Sequence, residues 1–171
     1  MRNKYIILLR GINVSGKNKL PMKDLREVLT SSGFQQVQTY IQSGNIILES
    51  DQSSQEVEEI ITQKIKEDFG YDVPSLAYSM EEWKEVLENC PYQEGEKKVY
   101  FTFLDQVPAT TDIEMKKAET DEFTIVNNMV YLSCLSYGKT KLSNNLFENK
   151  LKVTATSRNF RTVNKLLELA Q

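Results

Sequence analysis

The sequence predicts an α+β fold of two tandem ferredoxin-like (βαββαβ) units packed together, with an extra C-terminal helix. Three observations support this prediction. Strand-like and amphipathic helical segments follow each other in the same order twice, a hairpin signal follows the first helical segment of each half, and no long linker separates the halves. We expect a first unit at residues 1–79, a connector helix and loop at 80–97, and a second unit at 98–171.

The first half contains the elements of one βαββαβ unit up to its hairpin. Lys4 to Leu9 is an almost continuous apolar run, which is typical of a central strand covered on both faces. Pro21 suits the first turn of a helix that ends at Gly33. Gln36 to Tyr40 and Asn45 to Glu49 are β-prone runs around the turn-forming tract Ile41 to Gly44, and they predict a β-hairpin.

Two capping boxes mark the next helices. Ser53 with Glu56 begins a helix that ends at Gly70, and the run Val73 to Tyr78 then predicts a strand. Ser79 with Glu82 begins the connector helix, which Pro91 stops.

The second half repeats this order. Lys98 to Leu104 alternates as a strand, and Thr111 with Glu114 predicts the cap of a short polar helix. Asn127 and Asn128 tolerate positive φ, so they predict a tight turn between two further strands. The remaining predicted elements are strands at Glu122 to Val126, Met129 to Leu135 and Val153 to Ala155, and helices at Ser143 to Lys150 and Arg158 to Ala170.

Composition limits the possible chemistry. The chain has 171 residues, 40% hydrophobic and 26% charged, as in ordinary soluble proteins, and no apolar run is long enough to cross a bilayer. With no signal peptide in view, we expect a cytoplasmic protein. The absence of histidine excludes Ser-His-Asp and Cys-His sites and His-ligated metals. Cys90 and Cys134 are expected to be buried free thiols, and no metal or haem site and no particular cofactor is indicated.

Charge is distributed unevenly along the chain. Residues 1–50 carry seven Lys or Arg and three Asp or Glu, residues 51–135 carry seven and nineteen, and residues 136–171 carry seven and two. The two ends are therefore basic and the middle is acidic. Polar tracts that could hold a ligand lie in the basic ends, which favours an anionic partner there.

Residues Arg10 to Lys19 form the most distinctive tract. Gly11-x4-Gly16-Lys17 fits all but the last position of the P-loop pattern, where Asn18 replaces the Ser or Thr that binds Mg²⁺. The helix predicted from Pro21 begins too late for Lys17 to lie in its first turn, and a hairpin follows that helix where a P-loop fold needs a parallel strand. We therefore reject a P-loop and keep a glycine-hinged cationic loop that can form an anion-binding nest.

Two further polar tracts, Lys139 to Asn145 and Thr154 to Thr162, can complete an anion site with this loop. Arg158 and Arg161 are predicted in a helix's first turn, where cations oppose the helix dipole, so a ligand anion or an acidic neighbour would explain them. Lys17 and Tyr40 are the candidates for proton transfer. The predicted ligand-binding residues are Arg10, Asn13, Lys17, Lys19, Gln42, Ser43, Asn45, Lys141, Ser143, Asn144, Arg158, Asn159 and Arg161.

Each of these residues also has a purely architectural interpretation. The loop and the hairpin turn can be stabilised by their own hydrogen bonds, with the cations in solvent. Ser143 and either Ser157 or Asn159 are also plausible N-caps.

At these residues the chain resembles the uncharacterised bacterial family catalogued as domain of unknown function 1697. The resemblance covers essentially the whole chain, although members commonly have Gly in place of Ser15 and Trp in place of Phe160. It implies a compact α+β fold and a bacterial, cytoplasmic protein, and it implies no activity. The matching segments are Leu9 to Val14, Gly16 to Lys19, Thr39 to Asn45, Lys141 to Asn144 and Thr156 to Thr162.

The sequence thus favours a site for a phosphate, nucleotide or carboxylate ligand, whether or not the protein is an enzyme. One alternative is a nucleic-acid-binding module of ferredoxin-like type, which would require exposed aromatic residues on the sheet. The candidates for base stacking are Tyr5, Tyr100, Phe101, Phe103 and Tyr131. Another alternative is a non-catalytic interaction or regulatory domain.

Overall fold

The chain forms an α+β structure with two four-stranded antiparallel sheets and five helices. The computed structural model describes residues 1–171 and divides them into two compact units. Unit 1 comprises Met1–Lys84 with Leu166–Gln171, and unit 2 comprises Glu85–Lys165. The elements are β1 Asn3–Leu9, α1 Met22–Ser31, β2 Gln35–Tyr40, β3 Asn45–Ser50, α2 Ser54–Phe69, β4 Ser75–Ser79, α3 Met80–Glu88, β5 Lys98–Leu104, β6 Glu122–Val126, β7 Met129–Cys134, α4 Asn144–Leu151, β8 Ala155–Asn159 and α5 Phe160–Ala170.

The sheet of unit 1 has the strand order β2-β3-β1-β4, with every neighbouring pair antiparallel. Strand β1 is interior, as its apolar run predicts, and Tyr5 to Leu9 are all buried. Tyr5, Ile7 and Leu9 belong to a core cluster that also contains Leu25 of α1 and Ile61 of α2. The two helices therefore cover the face of the sheet that these alternate residues share.

The local signals at the ends of these helices are confirmed. Ser53 and Glu56 form a complete capping box at α2, and Gly70 ends that helix with φ of 77°. Ser79 and Glu82 exchange the same pair of hydrogen bonds at α3. The turn between β2 and β3 occupies the predicted residues 41–44.

The sheet of unit 2 has the order β6-β7-β5-β8, again fully antiparallel. Numbered from the first strand of each unit, this is the order found in unit 1. Asn127 has φ of 53° in the tight turn between β6 and β7, as predicted. A core cluster that includes Leu132, Phe147 and Leu151 joins this sheet to α4.

The polar helix predicted from Thr111 is absent, and this prediction is wrong. Residues 105–121, which we call the strap, connect β5 to β6 without helix or strand. Pro108 and Asp121, near its two ends, are buried, and between them only Ile113 and Met115 are half-buried, both against the core of unit 2. Side chains two residues apart do not share a helical face, so helix formation here would not bury an apolar stripe.

The last strand begins later than predicted. β8 covers Ala155–Asn159, where we expected a strand at Val153 to Ala155 and a helix from Arg158. Asn159 caps α5, because the Thr162 N–H donates to Asn159 Oδ1 at 2.8 Å. Arg158 pairs with Phe101 of β5 as a strand residue. The interpretation of Arg158 as a cation in a helix's first turn is therefore wrong.

None of the five helices combines the length and the apolar character required to span a membrane.

Candidate functional site

The β1–α1 loop is a miniature hairpin. The Lys17 N–H donates to Val14 O at 2.9 Å, and the two residues between them, Ser15 and Gly16, have φ of 51° and 74°. Positive φ at both central residues is the signature of a type I′ turn. The Asn13 N–H closes the next rung by donating to Asn18 O at 3.1 Å. The Lys17 amide is thus committed to the turn, and this geometry confirms the rejection of a P-loop.

The side chain of Asn13 joins this loop to the β2–β3 turn. Its Nδ2 donates to Leu20 O at 3.0 Å and to Gln42 O at 2.8 Å, and its Oδ1 accepts from the Leu20 N–H at 2.8 Å. Asn18 closes the base of the loop by donating to Gly11 O at 3.0 Å. The two asparagines of the tract therefore hold the loop in shape.

The β2–β3 turn fits closely against the end of β1. The Leu9 N–H donates to Gly44 O at 2.8 Å, and a Cβ at Gly44 would lie 2.7 Å from Leu9 Cβ. Asn45 is fully buried, and its Nδ2 donates to Tyr40 O at 3.0 Å and to Ser43 Oγ at 2.9 Å. The structure thus brings together two predicted site segments of unit 1, the β1–α1 loop and the β2–β3 turn. The hydrogen bonds that join them stabilise the fold.

The three cations of this region, Arg10, Lys17 and Lys19, differ in exposure. Lys17 and Lys19 are exposed, and Arg10 is half-buried. The main-chain N–H of Arg10 donates to Pro74 O at 3.0 Å. Gln42 is also exposed, and its main-chain carbonyl oxygen accepts the hydrogen bond from Asn13 Nδ2. No hydrogen bond links Lys17 to the half-buried Tyr40, so the two proton-transfer candidates do not form a pair.

In unit 2 the remaining two polar tracts meet at Asn144. Its Nδ2 donates to Ala155 O at 2.9 Å, and its Oδ1 accepts from Ser157 Oγ at 2.8 Å. The Asn144 N–H donates to the Tyr137 hydroxyl at 3.0 Å. Ser143 is the N-cap of α4, because its Oγ accepts from the Leu146 N–H at 3.2 Å. Asn144 therefore connects the start of α4 to β8.

Arg158 is a buried cation. Only 7% of the residue is exposed, and its Nη1 donates to Thr156 Oγ1 at 2.7 Å and to Ser157 O at 2.9 Å. Burial lowers the pKa of Arg158 to about 10, so the guanidinium stays charged at neutral pH. Arg161, in the first turn of α5, is exposed.

A groove in unit 2 lies between the strap and α4. Its volume is about 820 Å³, within the range of small-molecule sites. Sequence reasoning identified only Lys141 among its residues, because the groove depends on the strap lying beside α4. We call it the lysine groove, and it is lined by Glu114, Met115, Lys116, Lys141, Leu146 and Lys150.

The lysine groove has an excess of positive charge. Lys116, Lys141 and Lys150 are exposed, and none of them has a carboxylate oxygen within 4.0 Å. Glu114 is the one acidic residue of the lining. Met115 and Leu146 are half-buried and belong to the margin of the core of unit 2. The groove therefore combines an apolar floor with cations nearer the solvent.

The pKa values of the two thiols are shifted in the direction opposite to that of a catalytic cysteine. Burial raises the pKa of Cys90, and burial together with the charge of Asp121 raises the pKa of Cys134. Catalytic thiols have lowered pKa values that give the nucleophilic thiolate near neutral pH. Both sulfurs are free, Cys134 within the core and Cys90 half-buried.

Together these features define an α+β protein with two antiparallel sheets and a cationic groove. The chain belongs to the family described as "Protein of unknown function (DUF1697)", which matches residues 2–131. This confirms membership of the family, and the match ends before the segments Lys141 to Asn144 and Thr156 to Thr162. The chain is similar to a solved structure of a conserved bacterial protein from Streptococcus pneumoniae, with 25% identity, a TM-score of 0.80 and complete coverage of both chains. No curated protein matches the chain.

Proposed function

We propose that this protein binds an anionic small molecule in the lysine groove. The observation that supports the proposal is the convergence of Lys116, Lys141 and Lys150, all without an ion-pair partner, on one concave surface. A cleft lined by one sign of charge raises the local concentration of oppositely charged ligands. Lys141 is among the ligand-binding residues expected from the sequence.

Glu114 provides an internal check of this electrostatic argument. Its carboxylate would repel an anion in the same groove, and neutralising it should strengthen binding. At a partly exposed site the gain is on the order of 1 kcal/mol, or about fivefold in affinity. A groove that recognised its ligand by shape alone would show no such dependence.

The other predicted ligand residues divide by their contacts. Asn13, Asn45 and Asn144 already use their side-chain groups in the hydrogen bonds described above, and they are better explained as architectural residues. The exposed cations Lys17, Lys19 and Arg161 remain proposals for ligand contact, as does the half-buried Arg10. No specific cofactor follows from this arrangement.

We also propose that both units are ferredoxin-like, as the sequence predicts. Unit 1 supports this with the element order β-α-β-β-α-β and the strand order β2-β3-β1-β4. Unit 2 has the same strand order without the first helix. The cytoplasm remains the expected compartment.

Nucleic-acid binding on a sheet face has less support than anion binding. That mode requires exposed aromatic side chains. Phe101 and Phe103 are fully buried, Tyr131 is 1% exposed, and Tyr5 is 4% exposed. Tyr100 is half-buried and packs against Tyr137, with ring centroids 4.6 Å apart. An interaction or regulatory role stays an alternative.

The test is a titration of the protein with inorganic pyrophosphate and with citrate. NMR chemical shifts of the protein locate the binding site, and calorimetry measures the affinity. We expect shifts concentrated at the groove residues and an affinity that falls at least about tenfold in the double variant Lys141→Gln/Lys150→Gln. Glu114→Gln should bind about fivefold more tightly. Lys117→Gln is the matched control, because this exposed lysine lies next to Lys116 and outside the groove lining.

Equal binding by the wild type and the Lys141→Gln/Lys150→Gln variant would contradict the proposal. Shifts centred on the Arg10 to Lys19 loop would move the anion site to unit 1. Salt-sensitive binding of a single-stranded oligonucleotide, with no response to small anions, would favour the nucleic-acid alternative.

A further inference from the structure

The wall of the lysine groove is suited to more than a bare anion. Met115 and Leu146 form its apolar part, and carbon atoms make up most of the exposed wall. Phosphate or citrate alone would leave these carbon atoms in contact with water. A ligand with its own apolar portion would cover them, at a gain of about 25 cal/mol for each Å² removed from water.

We propose that the ligand of the lysine groove is an amphipathic anion, with one phosphate or carboxylate head and an aliphatic chain. This inference rests on the proposed function and adds the class of ligand. The head lies among the ammonium groups of Lys116, Lys141 and Lys150, and the chain lies along Met115 and Leu146.

The depth of the side chains sets the orientation of this ligand. The three lysines are exposed, whereas Met115 and Leu146 are half-buried. An anionic head therefore meets the ammonium groups at the mouth, and the chain is directed to the floor. The aliphatic stems of the lysines extend the apolar wall, since lysine buries its methylenes while its charge stays in water.

The lining favours an aliphatic chain over a nucleobase. Bases are usually bound by stacking on aromatic rings or guanidinium planes, and the groove lining contains neither an aromatic residue nor an arginine. Its apolar members are a methionine and a leucine. Methionine is flexible and polarisable, and it adapts to chains of different shape.

The strap gives the groove a wall that can adjust. Between β5 and β6 it has no regular structure. The main-chain N–H of Asp105, at its start, donates to Thr154 O, and the other main-chain bonds of the strap are local, from Ile113 to Thr111 O and from Asp121 to Ala118 O. Long connections of this kind are uncommon and are often functional. A wall of this type can move to follow the length of a chain, while α4 supplies the fixed wall.

The experiment is a calorimetric series with inorganic phosphate, butyl phosphate, hexyl phosphate and octyl phosphate, below their micelle concentrations. We expect the affinity to rise about twofold to fourfold for each added methylene. Octanol tests whether the head is needed, and it should bind at least about tenfold more weakly than octyl phosphate.

Two variants separate the chain from the head. Met115→Ser makes the strap wall polar, and we expect it to flatten the dependence of the affinity on chain length. Lys141→Gln/Lys150→Gln should weaken every phosphate in the series by a similar factor. Lys117→Gln should alter neither property. Circular dichroism of each variant establishes that it is folded.

The results distinguish this inference from the proposed function. If phosphate binds as tightly as octyl phosphate, the proposed function stands and the amphipathic ligand is overturned. If octanol binds as tightly as octyl phosphate, both fail, because the anion is then irrelevant. Absence of binding by every alkyl phosphate overturns the amphipathic ligand, and the proposed function is overturned with it when pyrophosphate and citrate also fail to bind.

Discussion

The two units build the same strand order with different first connections. In unit 1 the helix α1, Met22–Ser31, leads from β1 to β2, and it buries Met22, Leu25 and Leu29 against the core. In unit 2 the strap makes the corresponding connection, and between its buried ends at Pro108 and Asp121 only Ile113 and Met115 are half-buried. A sheet of this order does not require a helix in its first connection. Where the helix is missing, a groove lies beside the strap.

The difference predicts that the two connections contribute unequally to stability. Leu25→Ala should lower the free energy of unfolding by about 3 to 4 kcal/mol, because it leaves a cavity under α1. Met115→Ala should cost about 1 kcal/mol or less, since the side chain is already half exposed. Chemical denaturation measures both changes, and the fluorescence of Trp83, the single tryptophan, follows unit 1.

Hydrogen exchange provides a second readout of the same contrast. Amides of α1 should exchange slowly and those of the strap rapidly, because local stability follows burial and hydrogen bonding. Equal protection in the two segments, or equal costs for Leu25→Ala and Met115→Ala, would show that the strap is as firmly held as a helix.

The second comparison concerns the junction between the end of β1 and the β2–β3 turn, where Gly44 is closely packed. Gly44 has φ of 91°, and an added Cβ would lie 2.7 Å from Leu9 Cβ and 2.9 Å from Ile12 Cδ1. Gly44→Ala should therefore cost about 3 kcal/mol through backbone strain and overpacking. Gly95→Ala in unit 2 is the control, since nothing lies within 4 Å of its Cβ position. If Gly44→Ala lowers the free energy of unfolding by less than Gly95→Ala does, the backbone at the junction shifts to accommodate the added Cβ.

The features that could be predicted from sequence are local ones. The capping boxes at Ser53 and Ser79 and the turn at Asn127 were predictable, because each is determined by contacts within a few residues. Thr111 with Glu114 matched the same capping pattern, and no helix formed there. The motif can satisfy the first amides of a helix, but tertiary packing supplies most of a helix's stability.

The error in the bounds of β8 and the absence of the lysine groove from the sequence prediction have a common physical cause. Strand residues Thr156 and Arg158 are polar, and they are buried because β8 pairs with β5, more than fifty residues earlier. The lysine groove likewise depends on Met115 lying near Leu146. In the sequence the polar tract Lys139 to Asn145 pointed to Lys141, whereas no pattern singled out Lys116 or Lys150.

Two asparagines allow the stability of one junction in each unit to be compared by the same substitution. Asn13 makes three hydrogen bonds to main-chain groups of unit 1, and Asn144 makes side-chain bonds to Ala155 O and Ser157 Oγ in unit 2. Asn13→Ala should cost about 2 kcal/mol and Asn144→Ala about 1 to 2 kcal/mol, because unpaired main-chain groups remain. Asn149→Ala, at an exposed helical position, should change the unfolding free energy by less than about 0.5 kcal/mol. A larger cost at Asn144 than at Asn13 would reverse the ranking of the two junctions.

The smallest expected effect tests whether the tip of the β1–α1 loop is strained. Ser15 has φ of 51° in the type I′ turn, a conformation that costs a non-glycine residue free energy, whereas glycine adopts it readily. Ser15→Gly should therefore raise the free energy of unfolding by about 0.5 kcal/mol, the relief of strain being partly offset by the greater chain entropy of glycine. Ser15→Val should lower it by about 1 kcal/mol, since a β-branched residue is least tolerant of positive φ. Ser136→Gly, at an exposed position of unit 2 without positive φ, is the control and should not be stabilising. If Ser15→Gly and Ser136→Gly destabilise equally, the loop tip holds no strain, and its shape depends on the Asn13 and Asn18 contacts alone.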